Sequence, residues 1–142
     1  MHDRTIDAMV PEPLVPNERG IVYLTVTDQH VVRPMELTYR EAMLVVPVAL
    51  GGTAGTYIPV RYVDQTAPLL IGREIFGFPE VEADIAWTSD GEGIRIVVTR
   101  DGTTLIELAT ALGDPLEEIP QKAAGPSFNL ELVPSVRLFT TT

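Results

Sequence analysis

Runs of β-branched residues cut by glycine at short intervals constrain this chain more than any other feature. Arg40 to Leu50 and Thr56 to Val63 flank Gly51-Gly52-Thr53-Ala54-Gly55. Two such runs joined by a glycine-rich link read as a β-hairpin, because glycine supplies the positive φ of a tight reversal. The pattern repeats downstream in Glu82 to Thr88, the polar link Ser89-Asp90-Gly91-Glu92-Gly93, Ile94 to Arg100, Asp101-Gly102, and Thr103 to Ala111. Ile94, Ile96 and Val98 alternate with Arg95, Val97 and Thr99, as on a strand with one better-buried face. These segments predict an antiparallel meander. An earlier run from Ile21 to Val26 closes in the polar Asp28-Gln29-His30, and Phe128 to Val133 and Ser135 to Phe139 read as closing strands broken by Pro134. Short strands with turns this close favour a barrel or sandwich over any βαβ arrangement.

Three segments depart from that pattern. Ala67 to Ile75, opened by Thr66 with Pro68 near its first turn, is the one predicted helix, since a proline there forfeits no hydrogen bond. Residues 1–19 hold Pro11, Pro13 and Pro16 and predict a proline-rich opening segment that runs neither as helix nor as central strand. Gly113 to Gly125 reads as a long loop. At 142 residues, the whole of 1–142 is expected to form a single domain.

Charge and composition narrow the function classes. Ten Lys plus Arg against twenty Asp plus Glu leave a net charge of −10, which argues against nucleic acid and against an anionic membrane surface as partners. The absence of cysteine removes disulfide scaffolds, thiolate metal sites and cysteine nucleophiles together. The longest apolar run, Met43 to Leu50, is interrupted by Pro47 and far too short to span a bilayer, so a cytoplasmic protein is expected. The basic residues are nine Arg and one Lys, so any mechanism needing a lysine amine has a single candidate, Lys122.

Several blocks in fixed order carry a family resemblance. They are Val10-Pro11-Glu12-Pro13-Leu14, Tyr39-Arg40-Glu41, Pro47-Val48, the glycine hairpin, Tyr62-Val63-Asp64, Gly72-Arg73-Glu74-Ile75-Phe76-Gly77-Phe78-Pro79, and the late Gly125-Pro126-Ser127-Phe128-Asn129-Leu130 before Val133-Pro134. From about Ala8 to Val136 the chain resembles the acetoacetate decarboxylase family. The resemblance implies a mostly β (α+β) fold, an antiparallel β-barrel or cone with a pocket and one short helix. It also implies a homo-oligomer, no cofactor, and decarboxylation of a β-oxo acid through a lysine Schiff base. An amine attacks a carbonyl only when neutral, and a neighbouring cation lowers its pKa by disfavouring the ammonium.

The chain departs from that pattern where the chemistry lies. In the family two adjacent lysines follow the Gly-Arg-Glu…Pro block; here those positions read Glu80 and Val81. Lys122 falls in the predicted loop, where a solvated, protonated amine is expected. Glu41 matches a pocket glutamate of the family, while a second acidic position falls near Thr25. The family's pocket arginine, on an N-terminal segment, and its strands beyond Val136 have no counterpart in this sequence. The chain is therefore expected to correspond to the central portion of a longer relative, its barrel closing differently or completed by a second copy or a partner chain.

Glu41 and Glu80 are the candidate catalytic residues. Clustered, desolvated carboxylates raise one another's pKa, as a general acid or base near neutral pH requires. Glu82 alternates with Glu80 and shares its face on a strand. The group fits proton transfer or oxygen ligation of a hard cation, although no metal is expected; the plainer alternative is a solvated face of a degenerate site. Arg61 and Arg73 are candidates to clamp a substrate carboxylate, Arg73 with Glu74 also fitting an ion pair that holds the loop after the helix. Phe76, Phe78 and Trp87 are expected chiefly in the core, with Phe78 as the pocket candidate. His2 and His30 are expected to face solvent, and the glycine link, which no Lys-Ser/Thr follows, to be a turn and not a phosphate cradle. The reading is an acetoacetate decarboxylase-like protein that binds a small oxo acid, a lyase using carboxylate acid/base chemistry in place of a Schiff base. The alternative is a non-catalytic, truncated relative serving as a binding or partner subunit.

Overall fold

The computed structural model describes residues 3–17, 21–33, 35–111, 113–114 and 126–129. The glycine-linked hairpin is its centre. Strand β3 (Leu37–Leu50) returns as β4 (Thr53–Val63), with Leu50 opposite Thr53 and Glu41 opposite Val63. The reversal takes only Gly51 and Gly52, at φ 56° and 87°, so Thr53, Ala54 and Gly55 belong to the strand and not to the link. Pairing slips between Leu44 and Val46 of β3, opposite the stretch of β4 that contains Pro59, where a residue without an N–H is tolerated.

On its other side β3 pairs antiparallel with β2 (Tyr23–Val31) and, past Pro47, with the two-residue β1 (Val15–Pro16). Pro47 stands between the end of one pairing at Val45 and the start of the next at Val48, so a central strand accommodates it. β4 is flanked by β5 (Glu80–Glu82) and β9 (Ser127–Phe128), both parallel to it, which gives a six-stranded sheet among the described residues. The meander β6 (Asp84–Ser89), β7 (Gly93–Arg100) and β8 (Thr103–Ala111) forms a separate three-stranded antiparallel sheet. Its last turn is Asp101-Gly102, at φ 50° and 76°, as the Asp-Gly pair predicts.

Helix α1 (Asp3–Met9) occupies part of the opening segment, which corrects the expectation of no helix there. The prolines begin only at Pro11; before them Ile6 and Val10 lie one turn apart and bury against Leu14, Val46 and Val48. Helix α2 (Thr66–Phe76) is the predicted helix extended by one residue at each end. It joins β4 to the parallel β5, so a short βαβ unit does occur, contrary to the sequence reading; only a crossover can bring a strand back parallel. Most of the fold remains antiparallel β with helices added. The expected closed barrel is not found among the described residues. Neither sheet closes on itself, since β1, β5 and β9 are two or three residues long and the two sheets meet at a corner, not through a continuous ladder.

That corner is Ala83, whose N–H donates to the Val63 carbonyl (2.9 Å) as the chain leaves β5 for β6. A second apolar cluster gathers there, Ala42, Ala83, Ile85, Ile96 and Val98, with Trp87 packed against it. The predicted closing strands past Asn129, the greater part of the Gly113–Gly125 loop, Lys122 and His2 lie outside the described residues. No described helix is long and apolar enough to cross a membrane.

Candidate functional site

Three neighbouring strands deliver three charged side chains to one place. The parallel register sets Arg61 of β4 directly beside Glu80 of β5, and the antiparallel register sets Arg61 opposite Met43, two residues from Glu41 on β3. Because residues two apart on a strand share a face, Glu41, Arg61 and Glu80 meet. The Arg61 guanidinium donates from Nε to Glu41 Oε2 (3.0 Å) and from Nη2 to the same oxygen, while its Nη1 lies 3.2 Å from Glu80 Oε1. Side-chain exposure is 14% for Arg61, 5% for Glu41 and 1% for Glu80, so the cluster is taken out of water.

The two carboxylates are satisfied unequally. Glu41 Oε1 also accepts from Thr27 Oγ1 (3.1 Å) and, at 3.5 Å, from Gln29 Nε2, both on β2. Glu80 Oε2 is buried with no hydrogen-bond partner. Burial pushes the Glu80 carboxyl above the usual range and the negative charge of Glu41 pushes it further, against the pull of Arg61 and Arg73. Tyr39, two residues before Glu41, is also raised, by burial and then by Glu41 with a smaller contribution from Glu80, against Arg61. Its hydroxyl is a hydrogen-bond donor throughout the physiological range.

Glycine makes the Glu80 position possible. A Cβ on Gly72 would run into both oxygens of the Glu80 carboxyl, so only a residue without a side chain lets α2 lie over it. The helix ends at Gly77 (φ 66°), and the Gly72 carbonyl accepts from the N–H groups of Gly77 and Phe78, the latter at 3.0 Å. This cap turns the chain through Phe78-Pro79 into β5. The ring of Phe78 lies 4.7 Å from the Arg61 guanidinium carbon, and Phe76 tilts against it at 6.1 Å.

Above the cluster opens a cavity of about 790 Å³, walled by Val31, Leu37 and Tyr39 from the sheet, by Pro68, Ile71 and Ile75 from α2, and floored by Arg61 and Glu80. Of the residues singled out from sequence, Glu80, Arg61 and Phe78 line the cavity, and Glu41 joins them only through Arg61, behind the lining. Glu82 and Arg73 do not line the cavity. Glu82 is exposed because β5 ends at the Ala83 corner, and it accepts from Thr66 Oγ1 (3.3 Å) at the start of α2. Arg73 is exposed on α2 and reaches the site only through the field of its charge. Phe76 lines the cavity and does not fill the core, since α2 ends there at the surface. His30 is exposed and bonded to Thr38 (3.1 Å). No group of His, Cys, Asp or Glu that could hold a metal occurs among the described residues. Sequence reasoning missed Thr27, Gln29, Tyr39 and Gly72 as site residues, although the alternation of Thr27 with Gln29 and of Tyr39 with Glu41 was a usable signal.

Fold and site together define an α+β domain that holds a desolvated carboxyl–guanidinium cluster at the bottom of an apolar cavity. The family model described as "Acetoacetate decarboxylase (ADC)" matches residues 2–141, and the chain belongs to that family. It is 32% identical over 142 residues to the acetoacetate decarboxylase of Burkholderia vietnamiensis, covering 91% of this chain and 53% of that one. The figures are the same for the acetoacetate decarboxylase of Ralstonia nicotianae. The chain thus spans about half the length of the curated relatives it matches. Among solved structures, it resembles acetoacetate decarboxylase from Legionella pneumophila at TM-score 0.69 and 21% identity, covering 81% of this chain and 46% of that one. The enduracididine biosynthesis enzyme MppR complexed with pyruvate is similar at TM-score 0.78 and 14% identity, over 94% and 60% of the two chains. At these identities the structural likeness speaks for the fold alone.

Proposed function

We propose that this chain binds a small oxo acid in the cavity and acts as a lyase or proton-transfer catalyst through Glu80, without a Schiff base. The observation that carries the reading is the Glu80 carboxyl, which lines the cavity, is shut off from water and keeps one oxygen free of any partner. In the family pattern that the sequence resembles, an amine is expected at this point of the chain; here the side chain is an acid, and the single lysine of the sequence, Lys122, stands far along the chain.

The chemistry is that of a general acid. With a proton on Glu80, the floor carries Glu41 and Arg61 as a neutral pair and can admit one anion, whereas ionised Glu80 would repel it. The substrate carbonyl oxygen takes the Glu80 proton as the bond to the departing carboxylate breaks and its electron pair moves into an enol. Carbon dioxide leaves, the enol proton returns to Glu80, and carbon takes a proton from solvent. Tyr39 and Arg61 orient the carbonyl and the carboxylate. Activity of this kind falls as pH rises through the elevated Glu80 pKa.

The test is proton NMR of the purified protein with acetoacetate and with pyruvate in D₂O, beside Glu80→Gln. The reading expects carbon dioxide loss or deuterium entry next to the carbonyl in the wild type and its disappearance in the variant. Equal rates in the two proteins, or none in either, contradict it. In a second reading, the chain is a non-catalytic partner subunit, as a homo-oligomer or beside another chain that completes a barrel. It is favoured by the half-length coverage of the relatives and by sheets that do not close among the described residues. Sedimentation of the chain alone and with a full-length relative tests it, since the partner-subunit reading requires a mixed complex that the catalytic reading does not.

A further inference from the structure

We infer that the cavity takes a carbonyl compound with an extended apolar tail, bound head-first, its oxygen at the Glu80–Arg61 floor and its tail along α2. This deepens the reading above and rests on it. Polarity in the cavity runs inside out. The charged groups are at the buried floor, while the rim is apolar and open to solvent, Ile75 being 71% and Phe76 57% exposed, with Met35 exposed beside them. A compact acid held at the floor would leave the exposed apolar rim of Met35, Ile75 and Phe76 uncovered, whereas a tail running out from the floor covers it.

Helix α2 shows the same thing from the sequence. Pro68, Ile71 and Ile75 recur at three and four residues, the spacing of a stripe that a surface helix normally packs into the core. Here the stripe faces a cavity and runs out at the surface. Its volume of about 790 Å³ lies within the range of pockets that enclose ligands much larger than a four-carbon acid. Such an acid would cover the floor and leave the walls of α2 against water. The polar groups of the lining, Tyr39, Arg61 and Glu80, are gathered at one end, where Glu80 Oε2 is buried without a partner, so the carbonyl and carboxylate of an oxo acid sit there together. One polar head and a long apolar body is the ligand that these surfaces complement.

The test uses neutral methyl ketones of increasing length, acetone, 2-pentanone, 2-heptanone and 2-nonanone, titrated calorimetrically into the full chain and into Ile75→Asp. Ile75 is exposed, so the variant is expected to fold, which its circular dichroism checks. The inference expects affinity to rise roughly fourfold for each added methylene, the transfer of one CH₂ from water to an apolar wall. It expects that rise to be cut at least several-fold across the series in Ile75→Asp. Equal affinity along the series, no binding of 2-nonanone, or an unchanged slope in the variant overturns it. Deuterium entry lost in Glu80→Gln without any chain-length preference would sink this inference and leave the catalytic reading standing. Steep chain-length dependence without turnover of any oxo acid would do the reverse.

Discussion

Removing the cation from between two buried carboxylates should be among the most damaging single changes this domain can suffer. In Arg61→Met the apolar body of the side chain is roughly kept and the charge is lost. At the 3.0 Å separation of Arg61 Nε from Glu41 Oε2, and an effective dielectric of about 20, the gross attraction is on the order of 5 kcal/mol. Desolvation consumes much of that in the intact pair, but it is not recovered when one partner is deleted, and breaking buried pairs of this kind costs about 3–5 kcal/mol. The same loss is expected here in urea unfolding at pH 7, because the Glu41 side chain remains at 5% exposure with no cation beside it. Without the pull of Arg61 the Glu80 carboxyl is raised further, so whatever charge it carries at pH 7 adds to the deficit, and that part should shrink as pH falls. Adding Glu80→Gln should return part of the stability at pH 7, a non-additivity expected of residues in one cluster. A loss below about 1 kcal/mol that does not change with pH would mean the cluster is a solvent-screened surface pair, and the reasoning would be wrong.

Other consequences are equally direct. Gly72→Ala forces the added methyl into the Glu80 carboxyl and should cost about 1–3 kcal/mol of stability while lowering any Glu80-dependent rate, whereas Gly113→Ala, in open space, should leave both unchanged. Ile6→Ala should destabilise by about 2–5 kcal/mol if α1 belongs to the core as the structure has it, and by almost nothing if residues 1–19 were an irregular lead. Because the Glu80 pKa is raised in the folded state, that residue withdraws stability as pH climbs from the ordinary glutamate value of 4.5 through the raised one; Glu80→Gln should flatten the stability profile in that window. Asp90 accepts from the Gly93 and Glu92 N–H groups and is held below the usual aspartate range, so its carboxyl should titrate low by NMR, and the turn between β6 and β7 should loosen as pH falls through that value.

Much of this fold was legible because its signals are local. The β3–β4 hairpin, the meander and α2 follow from alternation and from glycine at reversals, and each is found within a few residues of where the sequence predicts it. What escaped depends on distant contacts. Helix α1 is only seven residues long and holds because Ile6 finds Val46 and Val48, some forty residues along the chain. Strand β5 is three residues long and owes its parallel pairing to the crossover through α2. The site shows the same division. Glu41, Arg61 and Glu80 were each visible as candidates, but their union in one cluster is a matter of register across three strands, which no single segment encodes. Glu82 shares the alternation of Glu80 and was expected beside it, yet the chain turns at Ala83 before a second inward position can form. Tyr39 and Gly72 carry no charge of their own; the hydroxyl of one is raised by burial and then by Glu41, and the other matters for the side chain it lacks.

Everything proposed for the cavity rests on burial holding the proton on Glu80 above the ordinary glutamate range. Carbon-13 NMR of the protein with labelled glutamate carboxyls, titrated across pH in the wild type and in Glu80→Gln, tests it most directly. One resonance is expected to titrate above the usual glutamate range in the wild type and to be missing from the variant. If every glutamate titrates in the ordinary range, or if the elevated one persists in Glu80→Gln, the proton is not on Glu80 and the proposed chemistry has no donor.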